Sequence, residues 1–178
     1  MRAVVLALLA LVHTADARPR PHAIGGKKFE ANKQFGAGLE LGEPSALNAK
    51  YFFAADRAID FGIGDIYNYR DYRGLTLYAD HLWHPFVLTS AESFELPFYI
   101  GVGGQFWRFE DYRLRTPVYG DALGVRVPIG LAFDFNNVPL DIFVQVVPTL
   151  NVAFNGTLYD HSIYPWIDFS VGIRYWFT

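Results

Sequence analysis

A chain of 178 residues that is 52% hydrophobic, 17% aromatic and only 19% charged either buries more than an ordinary domain or faces something other than water, since soluble domains carry about 25% charged residues. The formal net charge of −3 and the lack of a basic stripe argue against a nucleic-acid footprint. The absence of cysteine excludes disulfides, thiolate catalysis, thiolate metal sites and a lipid-modified cysteine.

In chain order, Arg2, the apolar run Ala3 to Val12 and then Ala15-Asp16-Ala17 read as a signal peptide over residues 1–17, cleaved after Ala17. The run is too short to cross a bilayer, which takes about 20 apolar residues. No later segment is long and apolar enough for a transmembrane helix. Residues 18–34, with Pro19, Pro21, Gly25 and Gly26 and no periodicity, read as a flexible periplasmic lead-in. From Phe35 onward the period is two, and eight strands are expected near 35–42, 48–54, 58–66, 74–84, 95–107, 122–134, 140–154 and 163–177.

The two faces of these strands differ in kind. In the last, Ile167, Phe169, Val171, Ile173 and Phe177 alternate with Asp168, Ser170, Gly172, Arg174 and Trp176. In the sixth, Leu123, Val125, Val127 and Ile129 alternate with Gly124, Arg126, Pro128 and Gly130. Nearly every strand charge falls in the glycine-containing register. A soluble ligand-binding barrel would reverse this, with an apolar interior and a charged wall. The apolar face therefore belongs outside, and an all-round apolar outside calls for lipid. The expected fold is all-β: an eight-stranded antiparallel up-and-down transmembrane β-barrel over residues 35–178.

With both termini on one side, the connections on that side lie near Ala55–Arg57, Pro85–Phe94 and Phe135–Pro139. The opposite loops are Glu43–Leu47, Asp65–Arg73, Arg108–Asp121 and Asn155–Ser162. Aromatic residues gather at strand ends, as in interfacial girdles. Tyr67, Tyr69, Tyr72, Trp107, Phe109, Tyr159 and Tyr164 suit the outer girdle, and Trp83, Phe86, Phe94, Phe135, Tyr175 and Phe177 the inner one.

Three stretches carry a family resemblance: Gly38-Leu39-Glu40-Leu41-Gly42-Glu43-Pro44 running to Lys50-Tyr51, Leu77-Tyr78-Ala79-Asp80-His81-Leu82-Trp83-His84, and Gly124-Val125-Arg126-Val127-Pro128-Ile129-Gly130-Leu131 with Pro139-Leu140-Asp141-Ile142-Phe143. The sequence resembles small outer-membrane barrels of the OmpA/OmpX type and, more narrowly, a bacterial family of uncharacterised barrels. The resemblance implies an outer-membrane location in a Gram-negative-type cell and contact with outer-membrane lipids and lipopolysaccharide. It also implies insertion by the barrel-assembly machinery. The chain departs from the usual pattern in closing on Thr178 after the aromatic Phe177.

The inward register collects Glu40, Asp60, Asp80, Asp141 and Asp168 with Lys50, Arg126 and Arg174. A five-residue first loop would set Glu40 opposite Lys50, and a three-residue turn would then bring Asp60 diagonal to Lys50. An uncompensated buried charge costs about 3–5 kcal/mol, so these groups should form a paired network. It either fills the narrow interior or gates a narrow water path. A non-enzymatic barrel in a structural or surface-interaction role is expected, with an outer-membrane lipid-modifying enzyme as the alternative: His161 and Ser162 are adjacent, and His81 and His84 fall on opposite sides of their strand, so nothing enforces a nucleophile–base pair. They read as interfacial histidines. Gly101, Gly103 and Gly104 lack the following helix that a phosphate loop needs, and read as lumen and close-packing positions. No metal or cofactor is implied. The loop bearing Arg108, Tyr112, Arg113, Arg115 and Tyr119 is the candidate contact surface for an extracellular partner or for lipopolysaccharide phosphates.

Overall fold

The computed structural model describes residues 23–69, 72–111, 118–155 and 163–177. They form one antiparallel sheet of ten strands: β1 (Ala23–Lys27), β2 (Phe35–Gly42), β3 (Ser45–Ala54), β4 (Arg57–Tyr69), β5 (Tyr72–Ser90), β6 (Phe94–Asp111), β7 (Val118–Arg126), β8 (Ile129–Phe135), β9 (Leu140–Asn155) and β10 (Ile163–Phe177). Because β10 pairs with β2 and β5 pairs with β6, the sheet closes as a ring through β2, β3, β4, β5, β6, β7, β9 and β10. Strand β8 continues the line of β7 between β6 and β9. The end of the ring at Phe35 and Phe177 is called the lower end here, and that at the Gly42–Ser45 turn the upper end.

The sixth expected strand, 122–134, is two strands, and Pro128 is the reason. Proline has no N–H to give to a ladder. Around the break, Gly101 N–H still donates to Pro128 O (2.8 Å) and Val127 N–H to Pro148 O (2.9 Å).

The first hairpin differs from the sequence reading. Strand β3 begins at Ser45, leaving only Glu43-Pro44 as the turn, and Gly42 takes φ +129°, a conformation that L side chains rarely adopt. A Cβ there would also lie 2.2 Å from Phe169 O. The shorter loop shifts the register: Glu40 lies opposite Ala46, and Lys50 lies between Gly36 and Asp60. The expected Glu40–Lys50 pairing is therefore absent, and Lys50 takes the ladder position opposite Asp60. Two other expected loops are largely strand. Strand β5 runs to Ser90 through most of Pro85–Phe94, and β4 runs to Tyr69 within Asp65–Arg73.

Exposure alternates around the ring. Leu41 is 63% exposed, Val125 58% and Ile167 70%, while their neighbours Glu40, Arg126 and Asp168 are buried. The interior has three layers. Low down, Phe52, Leu82, Val87, Tyr99, Phe143 and Trp176 pack with Phe29. High up, Ile66, Trp107, Phe109, Ala122 and Ala153 pack with Tyr164 and Trp166. A polar band lies between them. Trp107, Phe109 and Tyr164 thus point inward, where the sequence reading had put them in an outer girdle. Alternation places them there: they share a register with Gln105 and Asp168.

The segment read as a flexible lead-in, residues 18–34, is built into the fold from Ala23 onward. Strand β1 pairs with the lower part of β5, and Phe29 is 2% exposed against Phe52 and His84, with centroids 5.6 and 5.1 Å away. Lys33 is bound to the Asp134 carboxylate and donates to Phe135 O (2.7 Å).

Candidate functional site: the buried polar band

Period two puts every second residue of each strand inside, so a closed ring brings together side chains that are distant in sequence. All eight charged residues assigned to the inward register are buried to 2% exposure or less: Glu40, Lys50, Asp60, Asp80, Arg126, Asp141, Asp168 and Arg174. Seven of them fall into three groups, and Lys50 lies outside these.

The first centres on Arg174. Its Nε lies 3.1 Å from Asp141 Oδ1 and its Nη1 3.0 Å from Asp60 Oδ1. Nη1 also donates to Asn48 Oδ1 (3.2 Å). Asn48 Nδ2 in turn donates to Asp60 at 3.1 and 3.2 Å. The guanidinium carbon lies 4.1 Å from the Phe143 ring centroid, so this cation uses a face as well as its Nε and Nη1 edge.

The second group surrounds Glu40 with neutral donors. The Tyr78 and Ser170 hydroxyls and Gln145 Nε2 (2.8 Å) all donate to its carboxylate. Tyr99 donates to Gln145 Oε1 (3.1 Å). Several donors on one carboxylate let a charge be buried without a facing cation.

The third group pairs Arg126 Nε with Asp80 Oδ2 at 3.1 Å and lays the guanidinium over the Tyr78 ring at 3.9 Å. Nearby, Gln105 Nε2 donates to Asn151 Oδ1 (2.7 Å) and Thr149 Oγ1 to Asp168 Oδ2 (3.2 Å).

Lys50 stands apart from these carboxylates. Among the described residues its hydrogen-bond partner is His84 Nε2, at 2.8 Å. The ammonium lies 5.0 and 4.9 Å from the Phe52 and Tyr99 ring centroids. His84 is fully buried, so it is not an interfacial residue as the sequence reading had it. His81, three positions earlier, is exposed. Charge alone does not mark the uncharged members of this band, Asn48, Tyr78, His84, Tyr99, Gln105, Gln145, Thr149, Asn151 and Ser170. The available signal was their shared register with the charges.

Gly101 and Gly103 are inward close-packing positions, and a Cβ on Gly103 would lie 1.9 Å from Asp80 Oδ1. Gly104 is on the outer face, contrary to its reading as a lumen or close-packing residue.

At the upper rim, Arg108 is exposed and bound to Asp121 at 2.8 and 3.3 Å. Tyr119 is 60% exposed. Arg108 and Tyr119, with Tyr67, Arg73 and Glu110, line a surface cavity of about 310 Å³, on whose wall the ladder partners Arg73 and Glu110 lie 3.6 Å apart. Tyr112, Arg113, Arg115, Tyr159, His161 and Ser162 lie outside the described residues. No group of three or more metal-ligating side chains occurs among the described residues.

The fold is similar to the crystal structure of the N-terminal β-barrel domain of Pseudomonas aeruginosa OprF, with a TM-score of 0.56 at 13% sequence identity, covering 82% of this chain and all of that one. No curated protein matches the sequence. A family model described as a protein of unknown function, DUF3996, matches residues 26–178, and the chain belongs to that family.

Proposed function

We propose that this chain is an eight-stranded transmembrane β-barrel of the bacterial outer membrane, exported by a signal peptide over residues 1–17. Its interior is filled, and its role is non-enzymatic, in envelope structure or in surface contacts made by the upper loops. One observation carries the reading. A closed ring exposes large aliphatic and aromatic side chains on its wall and buries ion pairs inside. In water that wall would be a far larger apolar patch than soluble proteins tolerate. In a bilayer it matches the hydrocarbon, while ring closure pairs the backbone wherever all eight strands run side by side.

The interior supports a sealed barrel over an open pore. Eight strands enclose a space just wide enough for side chains to fill, and here the polar band lies between two apolar clusters. A gated water path would have to pass Trp107 and Phe109 above and Phe29, Phe52 and Trp176 below. Planar-bilayer recording of the mature chain tests this. The proposal expects no steady current, and a reproducible unitary conductance abolished by an inward-facing substitution such as Asn48→Trp would contradict it.

A further inference from the structure

The ring is notched at its upper end. Strands β2 and β3 stop at Gly42 and Ser45, while β10 rises seven residues beyond Ser170, its last residue paired with β2, to Ile163. Strand β4 likewise continues from Asp65, its last β3 partner, to Tyr69. The edges of β10 and β4 therefore face each other across the width of the missing β2 and β3, three strand spacings or roughly 14 Å.

The β10 edge has specific chemistry. Phe169 O accepts from Glu43 N–H at 3.0 Å, so the backbone of residue 169 points toward the notch. The β9–β10 ladder is unbroken from Ile163 to Tyr175, and period two points residues 167, 165 and 163 the same way. The N–H groups of Ile163 and Ile167, and the carbonyls of Ile163, Pro165 and Ile167, have no ladder partner among the described residues. Pro165, whose missing N–H would otherwise be another unpaired donor, sits where it breaks no bond to β9. At the lower end the chain treats a protruding edge differently: β5 outruns β4 beyond Trp83, and β1 pairs with it there.

We propose that the β10 edge from Ile163 to Phe169 is a docking site for an extended peptide segment of a partner protein, added as a strand in the notch. An acyl chain would leave the backbone groups unpaired, whereas a peptide supplies matching donors and acceptors. A second upright copy in the same membrane would present β10 in parallel across a two-fold axis, a symmetry that a parallel ladder does not satisfy. That one exclusion rests on the membrane reading; the edge itself does not. The docked strand would set its outward side chains beside Ile163, Ile167 and Phe169, which are 63%, 70% and 57% exposed. Its inward side chains would meet Tyr164 and Trp166.

The test is residue-resolved amide exchange on the full mature chain in lipid nanodiscs, with a short synthetic peptide of alternating valine and threonine as probe. The same peptide N-methylated along its pairing edge is the control. Without peptide, Ile163 and Ile167 should exchange much faster than Val171, which pairs with Leu41. The unmodified peptide should slow both by about tenfold or more, the methylated peptide should not, and Ile167→Pro should abolish the effect. Amides already as protected as Val171, or equal responses to both peptides, overturn the proposal. Loss of the heat-shifted gel band in the wild-type nanodisc sample would count against the membrane reading instead.

Discussion

Arg174 joins strands that are not neighbours: its Nη1 lies 3.0 Å from Asp60 Oδ1 on β4, while its Nε lies 3.1 Å from Asp141 Oδ1 on β9. The path from β10 to β4 around the wall passes through β2 and β3, so this guanidinium ties the ring across its interior. Arg174→Ala leaves two buried carboxylates without their cation and should cost about 3–5 kcal/mol. Arg174→Lys keeps the charge but loses the planar fork that reaches both acids, and should recover only part of the loss. Urea unfolding in lipid vesicles measures both.

Glu40 behaves differently because its partners are neutral. Tyr78, Ser170 and Gln145 all donate to it. Glu40→Gln keeps one acceptor oxygen and most of the volume, and should cost about 1–2 kcal/mol. Glu40→Leu strands three buried donors, each worth about 1–3 kcal/mol when unsatisfied, and should be the more damaging change. Equal loss in the two variants would mean that a cation, not these donors, holds the carboxylate.

Adjacent glycines should respond differently. A Cβ at Gly103 meets Asp80 Oδ1 at 1.9 Å and Ala79 O at 2.3 Å, whereas one at Gly104 meets nothing nearer than 3.6 Å. Gly103→Ala should destabilise by about 1–3 kcal/mol through overpacking. Gly104→Ala should fall within about 0.5 kcal/mol of wild type. The same vesicle unfolding assay distinguishes them.

The segment 23–34 packed at the lower end gives a fourth expectation. Phe29 packs on Phe52 and His84, so Phe29→Ala should cost about 3–5 kcal/mol as a buried aromatic truncation. If residues 23–34 merely lay against the ring, the unfolding midpoint would not move.

The strands were legible from alternation because the two faces differ in residue type as well as in period. Their ends were harder. Pro85 and Phe86 look like loop residues, yet β5 continues through them to Ser90. The register of the first hairpin hinged on turn length, and Glu43-Pro44 closes it in two residues where Glu43–Leu47 read as five. Eight inward charges were visible by parity, but their partners were not: which strand faces which across a closed ring is a property of the whole sheet. Asp60 meets Arg174 although 114 positions separate them. Trp107, Phe109 and Tyr164 were misread because aromatic residues near strand ends suit a girdle and an interior cap equally well. Phe29 lies in a segment without periodicity, so nothing local marked it as core.

A charge on the wall probes its surroundings directly. Ile173 is 45% exposed, opposite Leu39 and Ile142. Ile173→Arg should destabilise by about 2–4 kcal/mol if that position lies at the bilayer midplane. In a water-facing wall the change would be nearly neutral or favourable.

The most direct measurement is detergent-free fractionation of a Gram-negative cell expressing the full chain, followed by gel mobility of each fraction with and without heating. The account predicts recovery in the outer membrane with a band that shifts on heating. Recovery as a soluble periplasmic protein would contradict it, because the apolar wall would then face water or a protein partner rather than lipid.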